Sequence, residues 1–112
     1  MEIGRAALAL VIAIPVALGT ASQAGPADEA QFLAENDAAM QAMMKGMAVQ
    51  PTGDVDRDFV ALMVPHHQGA IDMAVAFLRH GHSEQLKRLA QEIIVTQKDE
   101  IAAMHRAVGD SR

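Results

Sequence analysis

The 112-residue chain has no cysteine, tryptophan or tyrosine, and phenylalanine stands at only three positions, Phe32, Phe59 and Phe77. Without cysteine there is no disulfide framework, no thiolate metal site and no Cys-x-x-Cys-His haem attachment. Positive charge is also short. Nine Lys and Arg face fourteen Asp and Glu, for a net charge of −5, which argues against nucleic-acid binding because that requires a clustered basic face. The same balance is mildly suited to attracting cations. No strand-like alternation, internal repeat or low-complexity tract follows residue 24. Stability must therefore come from helix packing, an oligomer partner or a metal.

What is present begins with a processing signal. Met1 to Arg5 is a thin basic start, since Glu2 cancels Arg5, and Ala6 to Leu18 is an uncharged run of mostly Ala, Leu, Ile and Val. Thirteen such residues fit a secretory apolar region better than a bilayer span. Ser22-Gln23-Ala24 then offers a small-x-small cleavage site. Residues 1–24 are thus expected to be a signal peptide, and 25–112 one helical metal-binding domain that is exported to a periplasm or secreted. An uncleaved anchor is the alternative; after cleavage no stable membrane span is expected. Glu2 and Arg5 leave together, so the remaining domain keeps its charge of −5.

Three helices are expected, in an all-α, small antiparallel bundle. The first runs from about Asp28 to Met47, with acidic residues at its start. Its apolar stripe is Phe32, Leu33, Asn36, Met40, Met43, Met44 and Met47. Gln50-Pro51-Thr52-Gly53-Asp54 breaks it. The second runs from about Asp56 to His80, capped by Asp54 or Asp56 and ended by Gly81. Its stripe is Phe59, Met63, His66, His67, Ala70, Met73, Ala74 and Phe77, and Pro65 within it predicts a kink or a full break. Ser83 caps the third, which runs to about Val108 before Gly109. Its stripe carries Leu86, Leu89, Ala90, Ile93, Ile94, Ile101, Met104 and Val108, with Gln97 near the centre and Glu100 at the edge. The short turn through Gly81 predicts an antiparallel hairpin of the second and third helices.

Methionine is unusually prominent, with seven of the eight beyond residue 24. Met63, His66, His67 and Met73 place two imidazoles between two thioethers along one helix side. Soft sulfur with borderline nitrogen suits copper, Cu(I) above all, with Cu(II) or Ag(I) as further cargo. His66 and His67 lie about 100° apart around a helix, both flanking the Met63–Ala70–Ala74 line, so both are expected on the packed side. A satisfied core histidine is the bland reading of either. Met40, Met43, Met44 and Met47 form a second cluster that serves as ligands or as flexible packing. Met104 faces inward on the third helix, and Gln97 and Glu100 are placed to orient a metal-bound imidazole. Gln97 could equally bond a buried backbone group, such as the Ala61 carbonyl freed by Pro65. His80, His82 and His105 carry less weight.

The run Phe59, Met63-Val-Pro-His66-His67-Gln-Gly-Ala-Ile-Asp-Met73-Ala, continued by Leu89-Ala90, Ile93-Ile94, Gln97, Glu100-Ile101 and Met104, resembles a family of small exported proteins known as the domain of unknown function numbered three hundred and five. The resemblance implies a ferritin-like helical bundle. For the family's CopM-type members it implies periplasmic copper binding by Met and His, with Met63, His66, His67, Met73 and Met104 as the matching ligands.

The expected function is accordingly an exported, non-enzymatic protein that sequesters or shuttles copper. Thioethers have no proton to lose and form no disulfides, which suits an oxidising compartment. A di-iron carboxylate enzyme needs paired Glu-x-x-His motifs, and no Glu here has His three residues on. A Met-rich interaction or chaperone-like module without metal, oligomerising as a homodimer through its apolar stripes, is the competing class.

Overall fold

The computed structural model describes residues 25–110, and the expected signal segment lies outside them. Three helices fill this span: α1 (Pro26–Met47), α2 (Val55–His80) and α3 (Glu84–Ala107). Each end has a local cause. Pro26 opens α1 at the position where its missing N–H costs nothing, and the Asp28 carboxylate accepts from the Gly25 N–H at 3.2 Å. Asp54 caps α2 by accepting from the N–H groups of Asp56 and Arg57 at 3.0 and 3.3 Å. The loop before it is locked onto the helix, because Thr52 donates its hydroxyl to Asp58 Oδ1 at 2.6 Å and its N–H to the same carboxylate. Ser83 caps α3 through the Leu86 N–H at 3.3 Å. Gly109, at φ 80°, ends that helix in the left-handed region.

α2 runs through Pro65 unbroken, so the full break considered from sequence does not occur. Gly81 does follow α2, but at φ −77° rather than as a left-handed stop. Its lack of a side chain matters for another reason: a Cβ there would lie 2.4 Å from the Phe77 ring. That ring stands edge-on to Phe32, with centroids 6.4 Å apart.

α2 is the central element. α1 and α3 each run antiparallel to it and do not approach one another, so the expected all-α antiparallel bundle is present in an open form, its three helices side by side as a layer. Close approach of α1 depends on two glycines. A Cβ at Gly46 would come within 2.7 Å of Pro65, and one at Gly69 within 3.0 Å of the Met43 sulfur. The core is a strip of small and medium residues: Ala39 on α1, Val60, Ile71, Ala74 and Ala76 on α2, and Ala90 on α3. The α1 stripe read from sequence is therefore offset from the packed line. Leu33, Met40 and Met44 are exposed, while Ala39 is buried. Leu86 and Leu89 on α3, and Phe59 on α2, are likewise exposed.

Polar ties hold the far end of the α1–α2 hairpin. Glu35 receives Arg79 at 3.1 Å and His80 at 2.9 Å, and His82 sits 3.4 Å from Asp28. The bond from His80 holds the Glu35 carboxyl below its ordinary range, with Arg79 adding to the effect. The bond from the Gly25 N–H, and then His82, do the same for Asp28. The Thr52 hydroxyl lowers Asp58. No helix among the described residues is long and apolar enough to cross a membrane.

Candidate metal centre

The adjacent histidines have different surroundings. His67 is buried and both of its ring nitrogens are engaged: Nδ1 lies 2.9 Å from the Met63 carbonyl and Nε2 lies 2.7 Å from Glu100 Oε2. A carbonyl and an ionised carboxylate both only accept, so the two bonds together need a proton on each ring nitrogen, the imidazolium form. In it Nδ1 donates to the Met63 carbonyl, and Nε2 donates to Glu100 and clamps the ring to α3. His66, by contrast, is exposed, with its ring 6.1 Å from that of His67 and tilted by 60°. The expectation that both rings face the packed side is corrected here. α3 lies over His67, and a rotation of about 100° carries His66 off that contact onto an open face.

That open face can be traced across the layer. Phe77 lines one groove with Glu29 and Phe32 of α1 and another with Leu86, Leu89 and Ile93 of α3, so these residues share one side. On the reverse side, Glu35, Ala38 and Ala42 meet Asp72, Val75 and Arg79, while Ala61 and Val64 meet His105. Helical geometry places the rest. On α1, Leu33, Met40, Met44 and Met47 lie within about 60° of arc. On α2, Phe59, Leu62, Met63, His66, Ala70 and Met73 lie within about 100°. On α3, Ile93, Gln97, Glu100 and Met104 lie within about 60°. All three arcs are on the Phe77 side of the layer.

Register brings them level. Contacts of Met43 with Gly69 and of Gly46 with Pro65 set Met47 near the level of Val64, Met44 near His67 and Met40 near Ile71. The His67–Glu100 pair sets Met104 near Met63 and Gln97 near Ala70. Met47, Met63, His66, Glu100 and Met104 thus form a band across all three helices, with Met44 at its α1 edge. Met40 and Met73 follow one to two turns along.

The remaining site residues fall as follows. Met43 is half-buried over Gly69, a packing position on the α1–α2 contact. Met73 lines the apolar groove with Leu86, Leu89 and Ile93, about 10 Å along the axis from His66 by the rise of a helix. Gln97 is half-buried rather than enclosed, so its amide faces solvent in part. His105 is on the reverse side, its Nδ1 3.7 Å from Asp110 Oδ2 and without a hydrogen-bond partner among the described residues. Sequence reasoning missed the ties from Glu35 and Asp28 to His80 and His82. An acidic start to α1 opposite a His-rich end of α2, in an antiparallel pair, was the available signal.

Among the described residues no three His, Asp or Glu side chains converge as a metal site would need. A site on this face would therefore draw on thioethers. These outnumber imidazoles on it and suit a soft monovalent ion rather than a hard one. Comparison with known proteins gives one family model, described as a domain of unknown function (DUF305), which matches residues 15–108. No curated protein matches the chain.

Proposed function

Since the chain belongs to this domain-of-unknown-function family, which carries no assigned activity, we propose from its own residues that it is an exported protein that binds copper, as Cu(I), for sequestration or transfer. One observation carries the reading: by helical geometry six of the seven methionines among the described residues fall on the His66 side of the layer, Met40 and Met44 exposed and the other four half-buried. Met43 instead packs against Gly69 on the α1–α2 contact. Leucine has similar helix propensity and would fill an apolar stripe as well, whereas thioethers add soft donors that remain competent in an oxidising compartment.

The proposed primary donors are the His66 imidazole and the thioethers of Met63, Met104 and Met47. Met44, Met40 and Met73 flank them along the face as lower-affinity docking positions. His67 acts as a positioning residue: its bonds to the Met63 carbonyl and to Glu100 fix the backbone beside Met63 and pin α3 at the level of Met104. The negative net charge favours approach of a cation. The test is titration with Cu(I) against a competing chelator, for the wild type, His66→Ala and Met63→Leu/Met104→Leu. The expected result is a defined stoichiometric site, weakened in each variant by more than the ~10–100-fold that loss of a group supporting the ligands costs. Equally weak uptake by all three proteins would refute the reading.

A further inference from the structure

We propose that the Met-rich face of the layer is covered by a second copy of this chain, so that the protein is a two-fold symmetric dimer of three-helix layers. Leu33, Met40, Met44, Phe59, Leu62, Leu86 and Leu89 are each 36–63% exposed and all stand on this face. At about 150–200 Å² per fully exposed large residue, the lower part of the range for aromatic side chains, they leave roughly 500–700 Å² of mostly apolar surface. That stands at or above the top of the ~300–600 Å² patch of an ordinary monomer and approaches the ~800 Å² per partner of a stable interface. The half-buried Met73, Phe77 and Ile93 extend it. The reverse side has no comparable patch among the described residues, because the exposed large hydrophobics outside this face are Val55, at the start of α2, and Val95, on the outer side of α3.

The face is also self-complementary. It carries protruding side chains on α1 and an apolar groove of about 300 Å³ between α2 and α3. A two-fold axis parallel to α2 within the interface lays α1 of each copy over α3 of the other without a shift in level. Leu33 then stands over the groove at Leu89, and Met44 and Met47 stand over Glu100 and Met104. Each band around His66 would thereby gain thioethers from the partner. That consequence rests on the copper reading; the dimer itself does not, because apolar burial alone drives it.

The experiment is sedimentation equilibrium on metal-free protein, run on the full chain and on a chain beginning at Gly25. Met44→Lys/Leu89→Lys is compared with Val95→Lys, all at exposed positions, and circular dichroism confirms helix content. The expected result is a dimer for both chains at about 50 µM, an at least hundredfold weaker association in Met44→Lys/Leu89→Lys, and no change in Val95→Lys. A monomer in both chains would overturn the proposal, as would a dimer indifferent to Met44→Lys/Leu89→Lys. A monomeric full chain beside a dimeric shorter one would mean that residues 1–24 cover the face instead, and the reverse would mean association through residues 1–24. Either also overturns it. Copper binding is scored separately, so a metal-binding monomer would remove the dimer and leave the functional reading standing.

Discussion

Replacing His66 and His67 one at a time should separate metal binding from stability. His67 is buried and its ring bonds both the Met63 carbonyl and Glu100. His67→Ala removes both bonds and opens a gap beneath α3. A neutral hydrogen bond contributes about 1 kcal/mol net and one to a charged partner about 1.5–3 kcal/mol. Glu100 is half exposed, so solvent screening puts the second near its lower limit. The expected loss is about 2–3 kcal/mol, which for a domain of this size lowers Tm by roughly 10–20 °C. His66 is exposed in the single chain, so in the Met44→Lys/Leu89→Lys background, which keeps the chain monomeric, His66→Ala should stay within ~0.5 kcal/mol. Thermal melts of the metal-free proteins, followed by circular dichroism, read the first effect, and Cu(I) competition below the melting range reads the second. His66→Ala should bind weakly and melt normally; His67→Ala should melt early and keep most of its affinity while folded. Equal Tm losses for the two variants, or a melt unchanged by His67→Ala, would refute the assignment of His67 as a clamp.

Other consequences are as direct. Gly81→Ala places a Cβ 2.4 Å from the Phe77 ring and 2.8 Å from its carbonyl oxygen, so it should cost about 1–3 kcal/mol as an overpacking change. A wild-type urea midpoint would contradict this. Gly46→Ala gains about 1 kcal/mol of helix propensity but drives a Cβ to 2.7 Å from Pro65, so the α1–α2 contact should loosen and net stability should fall. Hydrogen exchange along α1 would report it. Asp28, Glu35 and Asp58 are all held below their ordinary values of 3.8, 4.5 and 3.8. Their contribution is complete above those values and is lost as pH falls through the lower, folded-state ones. Tm should therefore be flat on this account above about pH 5 and fall below it. Glu35→Gln should flatten part of that fall, and an acid limb identical to the wild type's would be evidence against it.

The helices themselves were legible because their signals are local. Asp54 and Ser83 cap where short polar side chains precede apolar periodicity, and Gly109 ends α3 where a left-handed residue is needed. The hairpin of α2 and α3, and with it the meeting of His67 and Glu100, followed from a short turn and a register. The position of the neighbours around α2 was not legible. α1 and α3 sit on nearly opposite sides of it, so the apolar stripes outrun the contacts, and His66 falls outside where a closed bundle would have enclosed it. That placement is set by close approaches at Gly46 and Gly69, whose partners Pro65 and Met43 lie on other helices and leave no mark in local periodicity. The same geometry sorts Met43 into packing and the other six methionines onto the open face, a division that composition alone could not make.

The measurement that bears most directly on the metal-binding claim is X-ray absorption at the copper edge of protein loaded with Cu(I), beside the Met63→Leu/Met104→Leu variant. Thioether sulfur together with imidazole nitrogen in the first coordination shell, with the sulfur contribution reduced in the variant, is the expected result. A shell of nitrogen and oxygen alone, unchanged by loss of the two methionines, would contradict the account.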